Sequence, residues 1–196
     1  GWHQNHELFR AIKKNSNIIT VSILPQKTFV EKIAGDDFVI NVLIPRGSSP
    51  ADYSLVPSQL KGIAGSAIWF RIGYIGFEYS WQDKIAEANT NMKVVDLSEG
   101  LDLIADKEEQ HGDHIHMNGV DPHIWLSPIL VKQMAEKIMK ELSILKPEKS
   151  AEYKGNYLKF LKEIDQLNIE IKNKLKSFQG RKFIVFHPSL TYFARD

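Results

Sequence analysis

The stretch IITVSILPQKTFVEKIAGDDFVINVLIP, residues 18–45, sets two hydrophobic runs on either side of an amphipathic segment. IITVSIL (18–24) has the length and β-branched content of a strand buried on both faces. QKTFVEKIAG (26–35) has helical spacing and is closed by Gly35, and DFVINVLIP (37–45) reads as a second buried strand. Two strands joined through a helix form a parallel pair, because only a crossover of that length returns the chain to the same edge of the sheet.

Outward from this unit the alternation continues. RGSSPADYSLVP (46–57) reads as a loop, SQLKGIAGS (58–66) as a helix and AIWFRIG (67–73) as a third strand. FEYSWQDKIAEAN (77–89) reads as a helix and MKVVDLS (92–98) as a fourth strand, leading into a long polar loop from Glu99 to Gly119. The expected fold is therefore α/β, a four-stranded parallel sheet flanked by helices. Ser127 then offers an N-cap and Pro128 a first-turn proline to a helix over ILVKQMAEKIMKELSIL (129–145).

A second helix is expected from about Ser150 to Phe178, with Tyr157, Leu161, Ile164, Ile171, Leu175 and Phe178 at spacings of three and four, broken only by Asn168. At 1.5 Å per residue it would be roughly 40 Å long, which outspans one small domain and suggests a spine. Gly180 ends it, and RKFIVFH (181–187) reads as the first strand of a second α/β lobe that is truncated in this sequence. The expected organisation is a polar tail over 1–17, a first lobe over 18–146, a long linker helix over 147–180 and the start of a second lobe over 181–196. His3 and His6, in the tail, are expected to be solvated.

Composition narrows the functions. With 25 basic and 24 acidic residues the net charge is +1, which gives no stripe for nucleic acid and no polybasic patch for a membrane. No apolar run approaches the ~20 residues of a membrane span, and no secretory leader opens the sequence, which reads as mature or trimmed. The chain has no cysteine, which removes disulfides, thiolate metal sites and thiol catalysis and leaves His, Asp and Glu as the strong metal ligands. Gly62, Gly65, Gly73 and Gly76 form no nucleotide-binding fingerprint.

The histidines fall into two kinds. In HGDHIHMNG (111–119), His111, His114 and His116 sit among Glu108, Glu109 and Asp113, flanked by glycines and without apolar anchors. Such a loop binds metal weakly or is simply solvated, since it cannot hold its ligands in place. In DPHIWLSP (121–128), His123 lies between a proline and the apolar IWL, with Asp121 two residues earlier as an acceptor able to orient the ring. His187 ends the strand expected over 181–187 and is followed by Pro188. Each of these two alone is equally a half-buried structural histidine; together, at loop edges on the carboxyl side of a parallel sheet, they favour a shared metal site. A zinc-dependent hydrolase is the competing reading, but the spacing from His114 and His116 to Asp121 and His123 departs by three residues from the dinuclear H-x-H-x-D-H pattern.

Over residues 18–196 the chain resembles the metal-receptor (solute-binding) proteins of ABC importers for zinc and manganese, a group that includes zinc-uptake receptors and adhesin lipoproteins. The resemblance rests on ITVSILPQKTFVEKIAGD, on VLIPRGSSPADYSLVPSQLKGIAGSAIWFRIG and above all on DPHIWLSP with FHPSLTYFARD. It implies two α/β lobes bridged by one rigid helix, with the metal between them, and no enzymatic activity. It also implies that His123 and His187 are metal ligands, with an acidic ligand from the second lobe. The family's first ligand, a histidine after proline in the loop that follows the second strand, is replaced here: the chain reads Pro50, Ala51, Asp52, Tyr53. Asp52, or a histidine of the 111–116 loop, could fill the gap at Ala51.

The resemblance further implies Zn(II) as cargo, with Mn(II) or Fe(II) as alternatives, and an ABC permease as partner. It implies a periplasmic or envelope location, with anchoring through a lipidated N-terminus left open. The histidine-rich loop tilts the metal towards zinc. An adhesin or interaction protein that has lost metal binding is a third reading, which Ala51 leaves open. Imidazole ligates only when neutral, so affinity is expected to fall on acidification through about pH 6.5.

Overall fold

The computed structural model describes residues 16–49, 53–105, 119–181 and 189–196. The apolar segments form β1 (Ile18–Ile23), β2 (Val39–Ile44), β3 (Ser66–Arg71) and β4 (Lys93–Asp96), paired in parallel in the order β2-β1-β3-β4. This is the expected four-stranded parallel sheet. Ile19, Val21, Leu43, Ile68, Trp69 and Phe70 are buried, as strands covered on both faces require.

Helix α1 (Leu24–Ala34) joins β1 to β2, α2 (Pro57–Ala64) crosses from β2 to β3, and α3 (Gly76–Ala88) joins β3 to β4. The chain travels from β1 to β2 and then back over β1 to β3 and on to β4, so crossovers of one hand put α1 on one face and α2 and α3 on the other. On its face α1 packs against α4 (Pro128–Leu145) and α5 (Ser150–Leu175), while α2 packs against α3. The reversal also creates a switch point between β1 and β3, and ligands of open α/β sheets gather outside the carboxyl ends of the strands at such a point.

Two boundaries shift for a nameable reason. Leu24, expected in the first strand, opens α1 instead. The cause is Gln26, which is buried and accepts from the N–H groups of Ser22 and Ile23 at 3.0 Å each through its side-chain oxygen, while its amide donates to the Phe70 carbonyl at 3.0 Å. One side chain thus ends the strand, caps the helix and ties both to β3. The third strand stops at Arg71 rather than Gly73, because Ile72 and Gly73 turn their N–H groups onto Glu78.

Ser127 caps α4 as expected, accepting from Leu130 N–H at 3.0 Å, with Pro128 opening the helix. The long helix α5 ends at Leu175, followed by a short 3-10 turn over Lys176–Phe178. Its buried ridge is Tyr153, Phe160 and Ile164, and Phe160 meets Phe29 of α1 with ring centroids 6.1 Å apart. Of the stripe read from the sequence, only Ile164 is fully buried. Leu175 and Phe178 are 47% and 52% exposed, as are Leu167 and Ile169 at 54% and 55%. Helical periodicity identifies a face, but only the reach of α1 and α4 decides how much of that face is covered.

Arg181, expected to begin a strand, lies outside regular structure and donates its N–H to the Phe178 carbonyl at 3.0 Å. Residues 182–187, which hold the rest of that expected strand, lie outside the described residues, as does the tail over 1–15. After them the chain forms a short helix α6 (Thr191–Arg195).

The α5 layer is fastened at its start by Tyr153, whose hydroxyl donates to Asp37 Oδ2 at 2.7 Å in the turn before β2, with Lys149 Nζ 3.5 Å from Oδ1. Partial burial pushes the Asp37 carboxyl up, but Tyr153, Lys149 and Lys146 outweigh it and hold the carboxyl below its ordinary range. Tyr153→Phe keeps the buried ring and is expected to lower the unfolding free energy in urea by about 1.5–3 kcal/mol near neutral pH, the worth of one hydrogen bond to a charged acceptor. A depressed folded-state pKa contributes stability that is full above the unfolded value and is lost as pH falls through the folded one. The gap between the wild type and Tyr153→Phe should therefore narrow below about pH 4. A gap of constant size down to acid would show that Asp37 is not the acceptor that matters.

Candidate metal centre

Two of the loops singled out in the sequence leave the sheet at its carboxyl end. After β2, Gln59 of α2 donates its amide to the Val42 and Leu43 carbonyls at 3.1 and 2.7 Å and accepts from Val56 N–H at 3.1 Å, which folds the loop back over the end of that strand. Tyr53 pins the same loop, its carbonyl accepting from Trp81 Nε1 at 3.1 Å and its hydroxyl lying 3.3 Å from Gln59 Oε1. Ala51 and Asp52, just before it, lie outside the described residues.

The second loop follows β4. Helix α4 runs antiparallel to this strand, since Lys93 at the strand's start pairs with Glu141 at 2.5 Å and Lys137 reaches the Leu97 carbonyl beyond its end at 3.3 Å. The N-terminus of α4, and His123 just before it, therefore lie at the carboxyl end of the sheet. His111, His114 and His116 lie outside the described residues, but both roots of their loop are described. Ala105 and Val120 form an antiparallel bridge, and Asp121 N–H donates to the Ile104 carbonyl at 3.0 Å. Leu101, Leu103 and Ile104 pack against the core. The sequence reading found no apolar anchors for this loop; its first root carries three, just upstream of the histidines.

His123 is 8% exposed. Its backbone N–H donates to Asp121 Oδ1 at 3.0 Å, and its ring Nδ1 lies 2.7 Å from the same oxygen. Partial burial pushes the Asp121 carboxyl up, but the His123 ring, the His123 N–H and the Thr191 hydroxyl outweigh it and hold it below the ordinary carboxylate range. An ionised Asp121 can only accept, so it fixes the ring proton on Nδ1 and assigns Nε2 as the atom that would face a metal. Trp125 backs the ring with centroids 5.2 Å apart, and Ile124 is buried in the core, so the imidazole is held from two sides.

Of the residues proposed from the sequence, the structure thus brings together Asp121 and His123. His187 and Asp52 lie outside the described residues, and among the described ones no three His, Asp or Glu side chains come close enough to hold a metal. The sheet order sets a further condition. β2 and β4 are opposite edges, three strand spacings or roughly 14 Å apart, so ligands from their two loops meet only by leaning inward over the switch point.

Two groups at this end of the molecule escaped sequence reasoning. Glu78 of α3 is fully buried beneath the switch point and accepts from Ser22 Oγ at 2.6 Å, Ile72 N–H at 2.6 Å, Gly73 N–H at 3.0 Å and Arg71 Nε at 3.2 Å. The turn it holds requires Gly73, whose φ is +85° and whose missing Cβ would collide with Ser98. A lone carboxylate within the aromatic GFEYSW was the available signal. Tyr192 of α6, also fully buried, gave none, since a five-residue helix is too short for periodicity.

Comparison with known proteins bears on this geometry. The model of the family described as zinc-uptake complex component A, periplasmic, matches residues 19–196. The high-affinity zinc uptake system protein ZnuA of Yersinia pestis is 29% identical over 198 residues, an alignment that covers 91% of this chain and 62% of the relative. The zinc-binding lipoprotein AdcA of Streptococcus pneumoniae is 27% identical over 187 residues, covering 92% of this chain and 37% of the relative. Among solved structures, a ZnuA deletion mutant with zinc bound superposes with a TM-score of 0.82 at 42% identity, covering 92% of this chain and 66% of that one. The chain thus spans about three fifths of the length of the Yersinia relative.

Proposed function

The chain belongs to the family of periplasmic zinc-uptake components, and from that premise we propose that it captures Zn(II) outside the cytoplasm and hands it to the permease of an ABC importer. The task is reversible binding, with no covalent step, which leaves the hydrolase reading without support. The observation that carries the proposal is the buried Asp121–His123 pair, in which a carboxylate 2.7 Å from Nδ1 orients an imidazole at the carboxyl end of the sheet. Carboxylate-oriented imidazoles are the usual partners of protein-bound zinc. The similarity to a ZnuA solved with zinc bound supports the choice of cargo.

In this proposal His123 and His187 are the primary ligands. Two imidazoles leave zinc short of four donors, so Asp52 beside Ala51, a histidine among 111, 114 and 116, or an acidic residue of a second lobe completes the shell. The residues at 111–116 also serve as a collector that raises the local metal concentration. A first lobe over 18–146, a linker helix over 147–180 and a second lobe from 181 fit the exposed apolar residues on the distal half of α5, which a second lobe would cover. Among the described residues no helix is long and apolar enough to cross a membrane. In this proposal contact with the envelope is through the permease, with a lipidated N-terminus as a further anchor.

The test is competition of the full-length protein against chelators of known affinity, with Zn(II), Mn(II) and Fe(II) in parallel. One zinc equivalent bound at least about a hundredfold more tightly than manganese is expected if imidazoles dominate the shell. A preference for manganese would overturn the zinc assignment, and the absence of any tight equivalent would overturn the receptor itself.

A further inference from the structure

We infer that Tyr192 is a positioning residue for metal capture, holding the loop that presents His123; the inference rests on the receptor reading above. The Tyr192 hydroxyl donates to the Asp121 carbonyl at 2.6 Å and accepts from Ile104 N–H at 3.0 Å. These two residues are the facing sides of the neck below the histidine-rich loop, already joined by Asp121 N–H to the Ile104 carbonyl. A single phenol therefore adds a bond to each side of that neck, two residues before His123.

The rest of α6 and the residue after it hold on both sides of the neck. Arg195 donates to the Asp102 carbonyl at 3.0 Å upstream, and Asp196 accepts from the hydroxyl of Ser127, the cap of α4, downstream. Thr191 hydrogen-bonds the Asp121 carboxylate that fixes the His123 ring. Asp121 is thus gripped at its carbonyl by Tyr192 and at its side chain by Thr191, from a segment about seventy residues further along the chain. The distance and tilt of Nε2 relative to a bound metal depend on where Asp121 stands. The orientation of this ligand is therefore set by α6 and not only by its own loop.

The test replaces Tyr192 with Phe in the full-length protein, with Thr191→Val as a second variant and Tyr153→Phe as a control that loses a buried tyrosine hydroxyl bond elsewhere. Tyr192→Phe should bind zinc about tenfold more weakly, the lower end for loss of a group that orients a ligand. It should also change the d–d spectrum of the cobalt-substituted protein and broaden the imidazole Nδ1–H proton signal of the metal-free protein. Thr191→Val should shift the same readouts less, and Tyr153→Phe should leave them unchanged. Wild-type affinity, cobalt spectrum and imidazole signal in Tyr192→Phe would overturn the inference, and so would an equal loss in Tyr153→Phe. A wild type that binds no zinc, but whose imidazole signal responds to Tyr192→Phe, would defeat the receptor reading alone.

Discussion

Replacing His123 with alanine is expected to weaken zinc binding by about a hundredfold to a thousandfold while the protein stays folded. The magnitude follows from sharing the roughly 10–16 kcal/mol of a four-ligand zinc site among its donors, which assigns about 3 kcal/mol to each. The fold should survive, because the Asp121 carboxylate keeps its bonds from the backbone N–H at 123 and from Thr191. The substitution should lower the unfolding free energy by about 1–2 kcal/mol more than a surface variant does. Asp121→Asn is expected to fall between, about tenfold weaker than wild type, because an amide still accepts from Nδ1 but no longer favours one tautomer by charge. Chelator competition on both variants decides the matter. Wild-type affinity in His123→Ala would remove this residue from the ligand set and with it the reading of DPHIWLSP.

How far these features could be read from the sequence depends on how local their causes are. The four strands were legible because a parallel sheet demands short apolar runs, and IITVSI, VINVLI and SAIWFR have no other use in a chain of this length. Their ends were not, because Gln26 and Glu78 terminate elements by taking up backbone N–H groups, of Ser22 and Ile23 and of Ile72 and Gly73, which apolar patterning does not encode, and their ties to other strands span 44 and 56 residues. The contact between Asp121 and His123 was legible, since two residues in one turn must meet. The grip of Tyr192 on Asp121 spans 71 residues and became visible only with the fold. Helix α5 shows the same division. Its length was evident from spacing, but Tyr153 and Phe160 are buried and Leu175 and Phe178 are not, because α1 and α4 end where they do.

The largest loss of stability without loss of the metal site is expected from Glu78→Gln. All four neighbours of this carboxylate donate: the Ser22 hydroxyl, the N–H groups of Ile72 and Gly73, and Arg71. An ionised Glu78 can only accept, so the Ser22 hydroxyl donates to it while its oxygen accepts from Trp69 Nε1 at 3.1 Å. Burial raises the Glu78 carboxyl above its ordinary value, and these donors offset it only in part. A glutamine offers one acceptor and turns an NH2 towards donors, which leaves backbone N–H groups unsatisfied and Arg71, only 17% exposed, without its counter-charge. Breaking a buried ion pair from one side costs about 3–5 kcal/mol, and urea unfolding should show a loss of that size. A loss below about 1 kcal/mol would mean that the carboxyl is protonated in the folded protein and that the four contacts are those of a neutral group. Saturating zinc separates this variant from His123→Ala. Ligand binding stabilises by an amount set by affinity and free ligand concentration, so at one zinc concentration the gain for Glu78→Gln should match that of the wild type within about 0.5 kcal/mol. In His123→Ala the same zinc should raise it far less. The turn beneath the switch point would then carry the fold, and the loop above it the metal.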